Sequence, residues 1–138
     1  EGPDPGGCPV LIHGIGTDLV AIGRMRAFWE RHGERALEKL LAPEERADCR
    51  ASSDPGRFLA KRFAAKEALG KALGTGIRTP VLLPAIAVTH DEYGKPGFAF
   101  APELTGWIAE QSLTCHLSLS DETEHALAFA IVESVEKT

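Results

Sequence analysis

The sequence predicts an α+β domain in which a mainly antiparallel sheet packs against one long central helix and several shorter helices. The strongest signal is the segment of residues 57–76, where alanine and leucine recur at helical spacing. Two further segments, residues 85–100 and 113–132, alternate apolar and polar side chains on either side of a turn, as β-hairpins do. Helical segments combined with such hairpins are typical of α+β folds.

The chain begins with a leader and a short strand. Residues 1–9 are rich in Gly and Pro, which predicts a disordered leader or a cloning remnant, and residues 10–138 are expected to form a single domain. Residues 10–15 are apolar and predict a strand that runs into a glycine turn at residues 14–18. Asp18 in that turn has two open interpretations: it bonds its own backbone, or it is a carboxylate ligand for a hard cation.

Two or three helices follow. Residues 22–41 have a helical pattern that Gly33 is expected to break in two, and Pro43 with the two glutamates after it opens another short helix. The first of these helices is locally basic although the whole chain is acidic, since it carries Arg24, Arg26 and Arg31. A solvated helix face and a docking surface for an acidic protein are both consistent with this pattern.

The central helix has clear ends. Asp54 is its expected N-cap, Pro55 suits its first turn, and the glycines of residues 74–76 end it. A loop rich in proline follows. The rest of the chain predicts, in order, a hairpin with strands at residues 85–90 and 97–100, a helix at 102–112, and strands at 113–120 and 125–132 joined by a turn at 121–124.

The charges of the central helix are unusual. Arg62 and Lys66 project from the middle of its apolar stripe, with Glu67 at the edge and Lys71 one turn further on. A cation in a burying face is unfavourable unless something compensates it. Long basic side chains can reach water from such a position, and an anionic ligand along the helix would also explain them.

Composition narrows the function classes. The 138 residues suffice for one domain, and 43% hydrophobic with 25% charged residues is ordinary for a soluble globular protein. The net charge of −5 argues against nucleic acid as the main partner, and no apolar run approaches the roughly 20 residues of a membrane span. Three cysteines without metal-site spacing indicate reduced thiols in a cytoplasmic protein.

Several motifs together resemble one family. They are residues 14–20 (GIGTDLV) with Arg24, residues 58–68 (FLAKRFAAKEA), residues 71–76 (KALGTG), residues 94–96 (GKP) and residues 116–120 (HLSLS). In this order, over nearly the whole chain after the leader, they resemble the 4′-phosphopantetheinyl transferases of the small holo-acyl-carrier-protein synthase type. The block at residues 58–68 is highly specific, whereas the other pieces are weak when taken singly.

The resemblance implies an enzyme with the family's fold and chemistry. Such transferases move 4′-phosphopantetheine from coenzyme A to a serine of an apo carrier protein and release 3′,5′-ADP. Asp18 and Glu67 match the family's Mg²⁺ ligands, a role that Mn²⁺ could also fill, and two carboxylates with phosphate oxygens suit Mg²⁺. Glu67, directly or through a water, is the candidate base for the serine, and Lys71 is expected near the reacting phosphate.

The resemblance also implies binding sites and partners. The residues expected to bind coenzyme A are Arg62, Lys66, Lys71, Gly74, Thr75, Lys95, Pro96 and His116. The residues expected to dock an acidic carrier protein are Arg24, Phe28 and Arg31. Small members of the family are homotrimers with the active site between subunits, so a homotrimer is expected by analogy. Carriers of fatty-acid, polyketide and peptide synthesis are all compatible with the sequence.

One position departs from the family pattern. Many relatives have His after Ser-Leu-Ser, where this chain has Asp121. An aspartate there would repel the 3′-phosphate of coenzyme A unless Lys61 or Arg78 compensates it. Two other functions therefore remain open: a degenerate module that binds a carrier protein or a nucleotide without turnover, and a nucleotide hydrolase that uses the same metal.

Overall fold

Residues 9–135 are described by a computed structural model of the protein. The helices and strands in this part of the chain are, in order, β1 (Val10–Ala21), α1 (Ile22–His32), α2 (Glu34–Leu40), α3 (Pro43–Ala51), α4 (Pro55–Leu73), a 3₁₀ turn (Leu83–Ala85), β2 (Ile86–His90), β3 (Pro96–Phe100), α5 (Pro102–Glu110), β4 (Leu113–Asp121) and β5 (His125–Val135). The expected leader lies outside the described residues apart from residue 9.

The strands form two antiparallel sheets. The larger has the order β1-β5-β4, so the last strand of the chain lies at its centre, and the smaller is the β2–β3 hairpin. These pairings confirm the predicted α+β class. The register places Asp18 of β1 opposite Ala128 of β5, and Ala128 opposite Leu119 of β4.

Helix α4 packs on one face of the larger sheet, which we call the inner face. The alanines of the helix are fully or almost fully buried, and so are the alanines of β5 on that face: Ala60, Ala64, Ala65, Ala68, Ala72, Ala126, Ala128 and Ala130. Small side chains on both surfaces let the helix axis lie close to the sheet. The helix is thereby held against β1 and β5 over most of its length.

Both ends of α4 are formed by the predicted residues. The side chain of Asp54 accepts a hydrogen bond from the backbone N–H of Arg57 at 3.2 Å, and Pro55 is the first helical residue. At the other end Gly74 has φ 83°, a left-handed conformation that glycine adopts without strain. Gly33, with φ 53°, separates α1 from α2 as the sequence predicted.

The predicted glycine turn after the first strand is wrong. Residues 14–18 continue β1, which runs without interruption to Ala21 apart from a register shift between Ile12 and Gly14. The glycines serve packing: a Cβ on Gly14 would overlap the carbonyl oxygen of Ala72, and one on Gly16 would overlap that of Ala68. Only glycine lets the backbone of α4 come this close to the strand.

The outer face of the larger sheet is apolar and open. Side chains on this face are exposed, with Ile15 at 59%, Leu19 at 63%, Leu127 at 43% and Phe129 at 39%. A monomer rarely leaves so many neighbouring apolar side chains in water. No helix within residues 9–135 is long and apolar enough to cross a membrane.

Candidate active site

The close contact between α4 and β1 brings distant residues together. Asp18 follows Gly16 by two positions, so both lie on the inner face of the sheet, against the helix. Lys71 of α4 donates a 2.7 Å hydrogen bond to the carbonyl oxygen of Thr17 and pairs with Asp18, with 3.2 Å between Nζ and Oδ1. The Lys71 side chain is about half exposed and Asp18 mostly covered, so the pair opens to solvent on the lysine side.

Glu67 lies one helical turn before Lys71 and senses the same charges. Burial, and secondly the nearby carboxylate of Asp18, raise the pKa of Glu67, while Lys71 acts in the opposite direction. In the described chain no hydrogen bond or ion pair holds the Glu67 carboxylate. Two carboxylates and one ammonium therefore meet here, and one of the carboxylates has no partner of its own.

The arrangement of Asp18, Glu67 and Lys71 is suited to binding a divalent cation. A cation between Asp18 and Glu67 would relieve the repulsion that raises the pKa of Glu67. Among residues 9–135 no three His, Cys, Asp or Glu side chains are arranged to hold a metal ion. The protein would thus supply a minority of the ligands, which is how Mg²⁺ binds when substrate phosphates and waters complete its shell.

Lys66 does not face this site, contrary to the expectation that it contacts a phosphate. Its side chain is fully buried, and Nζ donates to Glu45 Oε1 at 2.6 Å and to the carbonyl oxygens of Leu40 at 2.8 Å and Leu83 at 3.1 Å. These three acceptors use all the ammonium protons. Burial lowers the pKa of Lys66 to about 8, and the Glu45 carboxylate opposes this shift.

Arg62 also turns to the interior. Its Nη1 donates to Glu45 Oε2 and to the carbonyl oxygen of Val88, both at 2.8 Å, and its guanidinium lies 4.4 Å from the centre of the Phe58 ring. Glu45, which the sequence analysis did not single out, is therefore the compensation for both cations in the apolar stripe. The available signal was its position at the first turn of α3, where its carboxylate also accepts the N–H of Ala42.

The glycine turn after α4 uses its backbone N–H groups within the chain. The N–H groups of Gly74 and Gly76 donate to the carbonyl oxygen of Gly70 at 3.1 and 3.0 Å, so they close the helix. A helix C-terminus also carries a partial negative charge, which disfavours an anion. The Thr75 hydroxyl donates to the carbonyl oxygen of Gly76 at 2.8 Å. The coenzyme A contacts expected for Gly74 and Thr75 therefore stay a prediction, and the backbone N–H of Gly74 is already used within the chain.

The other expected coenzyme A residues lie apart from Asp18 within one chain. His116 pairs with Ile131 of β5, which places it on the outer face of the sheet, and its Nε2 lies 2.6 Å from Glu133 Oε1. Asp18 is on the inner face. Lys95 and Pro96 lie at the turn of the β2–β3 hairpin, outside the larger sheet. A single chain does not join these residues into one site.

The three expected docking residues line one cleft beside α1. Arg24, Phe28 and Arg31 surround an open cavity of about 270 Å³ whose wall also includes Leu40 and Phe63. The rest of the wall is formed by Met25, Ala27 and His32. The cleft thus combines an apolar floor with basic groups at its rim, which suits an apolar side chain presented by an acidic surface.

The negative charge of Asp121 is balanced by two neighbouring basic side chains. Its Oδ2 accepts a 2.8 Å hydrogen bond from Arg57, and Lys61 lies 3.7 Å from its Oδ1. Arg57 also donates to the carbonyl oxygens of Glu122 and Thr123, so it holds the whole β4–β5 turn. Lys61 was named as a compensating cation from the sequence, whereas Arg57 was missed because nothing in a linear pattern links positions 57 and 121.

Comparison with known proteins identifies the family. Residues 14–130 match the model of the 4′-phosphopantetheinyl transferase superfamily. The chain is 58% identical, over 89% of its length and 98% of the relative, to a holo-[acyl-carrier-protein] synthase of Dechloromonas aromatica. The crystal structure of the corresponding synthase from Neisseria meningitidis superposes with a TM-score of 0.85 at 42% identity, covering 88% of this chain and 98% of the other.

A second solved structure carries a ligand. It is a holo-(acyl-carrier-protein) synthase from Bacillus anthracis in complex with CoA (3′,5′-ADP), which has a TM-score of 0.74 and 34% identity and covers 89% of this chain and 97% of the other. The family match spans most of the chain and includes Asp18, Glu67 and Lys71. This chain therefore belongs to the 4′-phosphopantetheinyl transferase superfamily, among the holo-[acyl-carrier-protein] synthases.

Proposed function

We propose that this protein is a holo-[acyl-carrier-protein] synthase, which transfers 4′-phosphopantetheine from coenzyme A to a serine of an apo acyl carrier protein. The observation that carries the proposal is the meeting of Asp18, Glu67 and Lys71 at the contact between β1 and α4. The similarity to synthases over nearly their whole length, one of them solved with coenzyme A, supports the same substrates.

The transfer needs a base for the serine, a cation that binds the reacting phosphate, and a leaving group. The serine oxygen forms a bond to the β-phosphorus of coenzyme A, the bond from that phosphorus to the bridging oxygen breaks, and 3′,5′-ADP leaves with the electron pair. Glu67, directly or through a water that it holds, is the candidate acceptor of the serine proton, because its carboxylate has no hydrogen-bond partner of its own among the described residues. Lys71 is exposed enough to turn from Asp18 towards a phosphate oxygen.

Asp18 and Glu67 would hold Mg²⁺, which neutralises charge on the pyrophosphate when bound. Asp18 already orients a cation, the Lys71 ammonium, and Glu67 lies within its electrostatic reach. Coenzyme A phosphates and water would complete the coordination. By holding the metal, Asp18 and Glu67 would also fix the position of the pyrophosphate, so that the serine is aligned with the phosphorus that it attacks.

The cleft beside α1 would receive the carrier protein. Arg24 and Arg31 stand at its rim, while Arg26 is occupied by Asp54, with 2.7 Å between Nη2 and Oδ2. Phe28 offers an apolar wall for a carrier side chain. The carrier would thus be held by two arginines and one apolar contact rather than by all three arginines of α1.

We further propose that the protein works as a homotrimer. The exposed apolar side chains on the outer face of the larger sheet would be covered by other copies of the chain. His116 lies on this same face, so assembly would bring the His116, Lys95 and Pro96 of one copy towards the Asp18 of another and complete a coenzyme A site.

Free thiols at Cys49 and Cys115 suit a reducing cytoplasm.

The proposed function is tested by measuring the mass of the carrier protein before and after the reaction. The protein is incubated with coenzyme A, Mg²⁺ and an apo carrier, and each carrier molecule should gain the mass of one phosphopantetheine group while 3′,5′-ADP is released. A panel of apo carriers from fatty-acid, polyketide and peptide synthesis would show which is used. Coenzyme A binding without a mass gain would instead indicate a degenerate module, and 3′,5′-ADP formed without any carrier would indicate a hydrolase.

The assigned residues are tested in the same assay. Glu67→Gln keeps the shape of the side chain but cannot take a proton or bind the metal well, so transfer should fall by about 100-fold or more. Glu103→Gln on α5, a change of the same kind on an exposed helix, should have no effect. Transfer by Glu67→Gln at the wild-type rate with Mg²⁺ would show that the assignment is wrong.

A further inference from the structure

A buried carboxylate organises the side of α4 that faces away from the active site. Glu45 is 2% exposed and accepts four hydrogen bonds: from Lys66 at 2.6 Å, Arg62 at 2.8 Å, the N–H of Ala42 at 2.9 Å and the N–H of Val88 at 3.0 Å. Burial alone would raise the pKa of Glu45, but Lys66, the Val88 N–H and Arg62 together lower it. We call Glu45, Arg62 and Lys66 the interior charge cluster.

The cluster ties α4 to four other elements. Lys66 binds the carbonyl oxygen of Leu40, the last residue of α2, and that of Leu83 in the 3₁₀ turn. Glu45 belongs to α3, and Val88 of β2 both donates to Glu45 and accepts from Arg62. Each bond is directional and buried or partly buried, and rotation of α4 about its axis would break several of them at once.

Glu67 is the next residue after Lys66, and in the described part of the chain its carboxylate has no hydrogen bond of its own. Neighbouring residues of a helix point about 100° apart, so Lys66 faces the cluster while Glu67 faces Asp18. No hydrogen bond within residues 9–135 holds the Glu67 carboxylate. Its distance from Asp18 therefore depends on how α4 is rotated. On the strand side this rotation is restrained by the Lys71 bonds to Thr17 and Asp18, and on the opposite side by the interior charge cluster.

We propose that Glu45 and Lys66 are positioning residues, which set the rotation of α4 and so hold Glu67 opposite Asp18. The inference rests on the proposed function, because it concerns the carboxylate pair that the proposal assigns to the metal. Neither residue touches substrate. Partners that orient metal ligands in this indirect way typically change metal affinity or activity by about 10- to 100-fold when they are removed.

The test separates positioning from simple stability. Lys66→Met keeps much of the side-chain volume but removes the ammonium that links α4 to Glu45, Leu40 and Leu83. Leu59→Ala is the matched control, because Leu59 is a fully buried residue of the same helix, and its truncation destabilises the protein without removing any hydrogen bond or charge of the cluster. Both variants are compared with wild type at a temperature where circular dichroism shows all three to be folded.

The main readout is metal binding rather than turnover. Free Mn²⁺ is titrated by electron paramagnetic resonance in the presence of coenzyme A, and Lys66→Met should raise the Mn²⁺ dissociation constant by about 10-fold or more. In the transfer assay its kcat should fall by a similar factor with the KM for carrier protein within about two-fold. Leu59→Ala should keep the wild-type dissociation constant within about two-fold although it lowers the unfolding temperature.

The outcomes are distinct. An unchanged Mn²⁺ dissociation constant in Lys66→Met, or an equal rise in Leu59→Ala, would overturn the positioning role while leaving the proposed function intact. Failure of the wild-type protein to bind Mn²⁺ with coenzyme A would overturn the metal assignment and this inference with it. If Lys66→Met does not fold, Glu45→Gln serves instead, since it removes the charge with almost no change in shape, and the same shift is expected.

Discussion

Replacing Gly16 by alanine should separate Asp18 from Glu67 and Lys71, the residues of the proposed active site. The residue lies in β1, and its φ is not positive, so alanine is compatible with the backbone and the effect is purely steric. The added Cβ would overlap the carbonyl oxygen of Ala68 and lie 2.8 Å from the Cβ of Lys71 and 2.9 Å from the N of Ala72. Since the obstacles are mostly the backbone of a helix, α4 must retreat as a body.

The magnitude follows from those contacts. Restoring ordinary contacts near 3.5–4.0 Å requires α4 to move by about 1–2 Å, and overpacking of this kind usually destabilises a protein by about 1–3 kcal/mol. For a domain of this size that corresponds to a fall in Tm of about 4–12 °C. The same displacement moves Glu67 and Lys71 away from Asp18, and a misplacement of about 1 Å can lower a rate by roughly 100-fold.

Thermal unfolding followed by circular dichroism measures the first effect, and the carrier mass assay measures the second at a temperature where the variant is folded. Gly106→Ala is the control, because Gly106 lies in α5 and nothing is within 4 Å of an added Cβ. It should leave transfer unchanged and stabilise the helix by about 0.5–1 kcal/mol. A Gly16→Ala protein with the wild-type Tm and transfer rate would refute the argument that glycine is needed for the approach of α4.

Three further predictions follow from charge and burial. Arg24→Glu should raise the KM for carrier protein several-fold at low salt, whereas Arg50→Glu on α3 should not, and an unchanged KM for Arg24→Glu would remove the docking assignment. Asp121→His should tighten coenzyme A binding in calorimetry but not the binding of dephospho-coenzyme A; equal gains, or none, would count against a role at the 3′-phosphate. Burial raises the pKa of Cys49 and Cys115 to about 11, so both thiols should alkylate at least about 10-fold more slowly in folded than in unfolded protein, as peptide mass mapping would show.

Helix ends and hairpins could be predicted from the sequence because their determinants are local. Asp54, Pro55 and Gly74 lie within a turn of the ends of α4 that they form, and Gly33 alone separates α1 from α2. The alternation around residues 113–132 likewise predicted two strands, which the structure has as β4 and β5. In each case the chemistry that decides the structure lies within a few residues of the position concerned.

Features decided by tertiary packing were not predictable. The glycines of β1 were interpreted as a turn because a linear sequence does not show that a helix backbone will approach them. The apolar stripe showed that Lys66 needed compensation, but its partner Glu45 lies 21 positions away, so an external anion seemed equally able to supply it. The pairing of Asp18 with Glu67 came from the family resemblance, since residues alone left Asp18 ambiguous.

The ion pair at the start of α4 and the ion pair further along it respond differently to dissolved salt. Asp54 caps α4 and also binds Arg26 of α1, and both side chains are substantially exposed, at 33% and 46%. Dissolved ions weaken such a bond, whereas they hardly reach Lys66 in the interior. Raising the ionic strength should therefore speed amide exchange at the start of α4 and around Arg26 of α1 before it speeds exchange around Lys66. High salt would thus loosen the helix beside the proposed docking cleft while the part of α4 that carries Glu67 stays ordered.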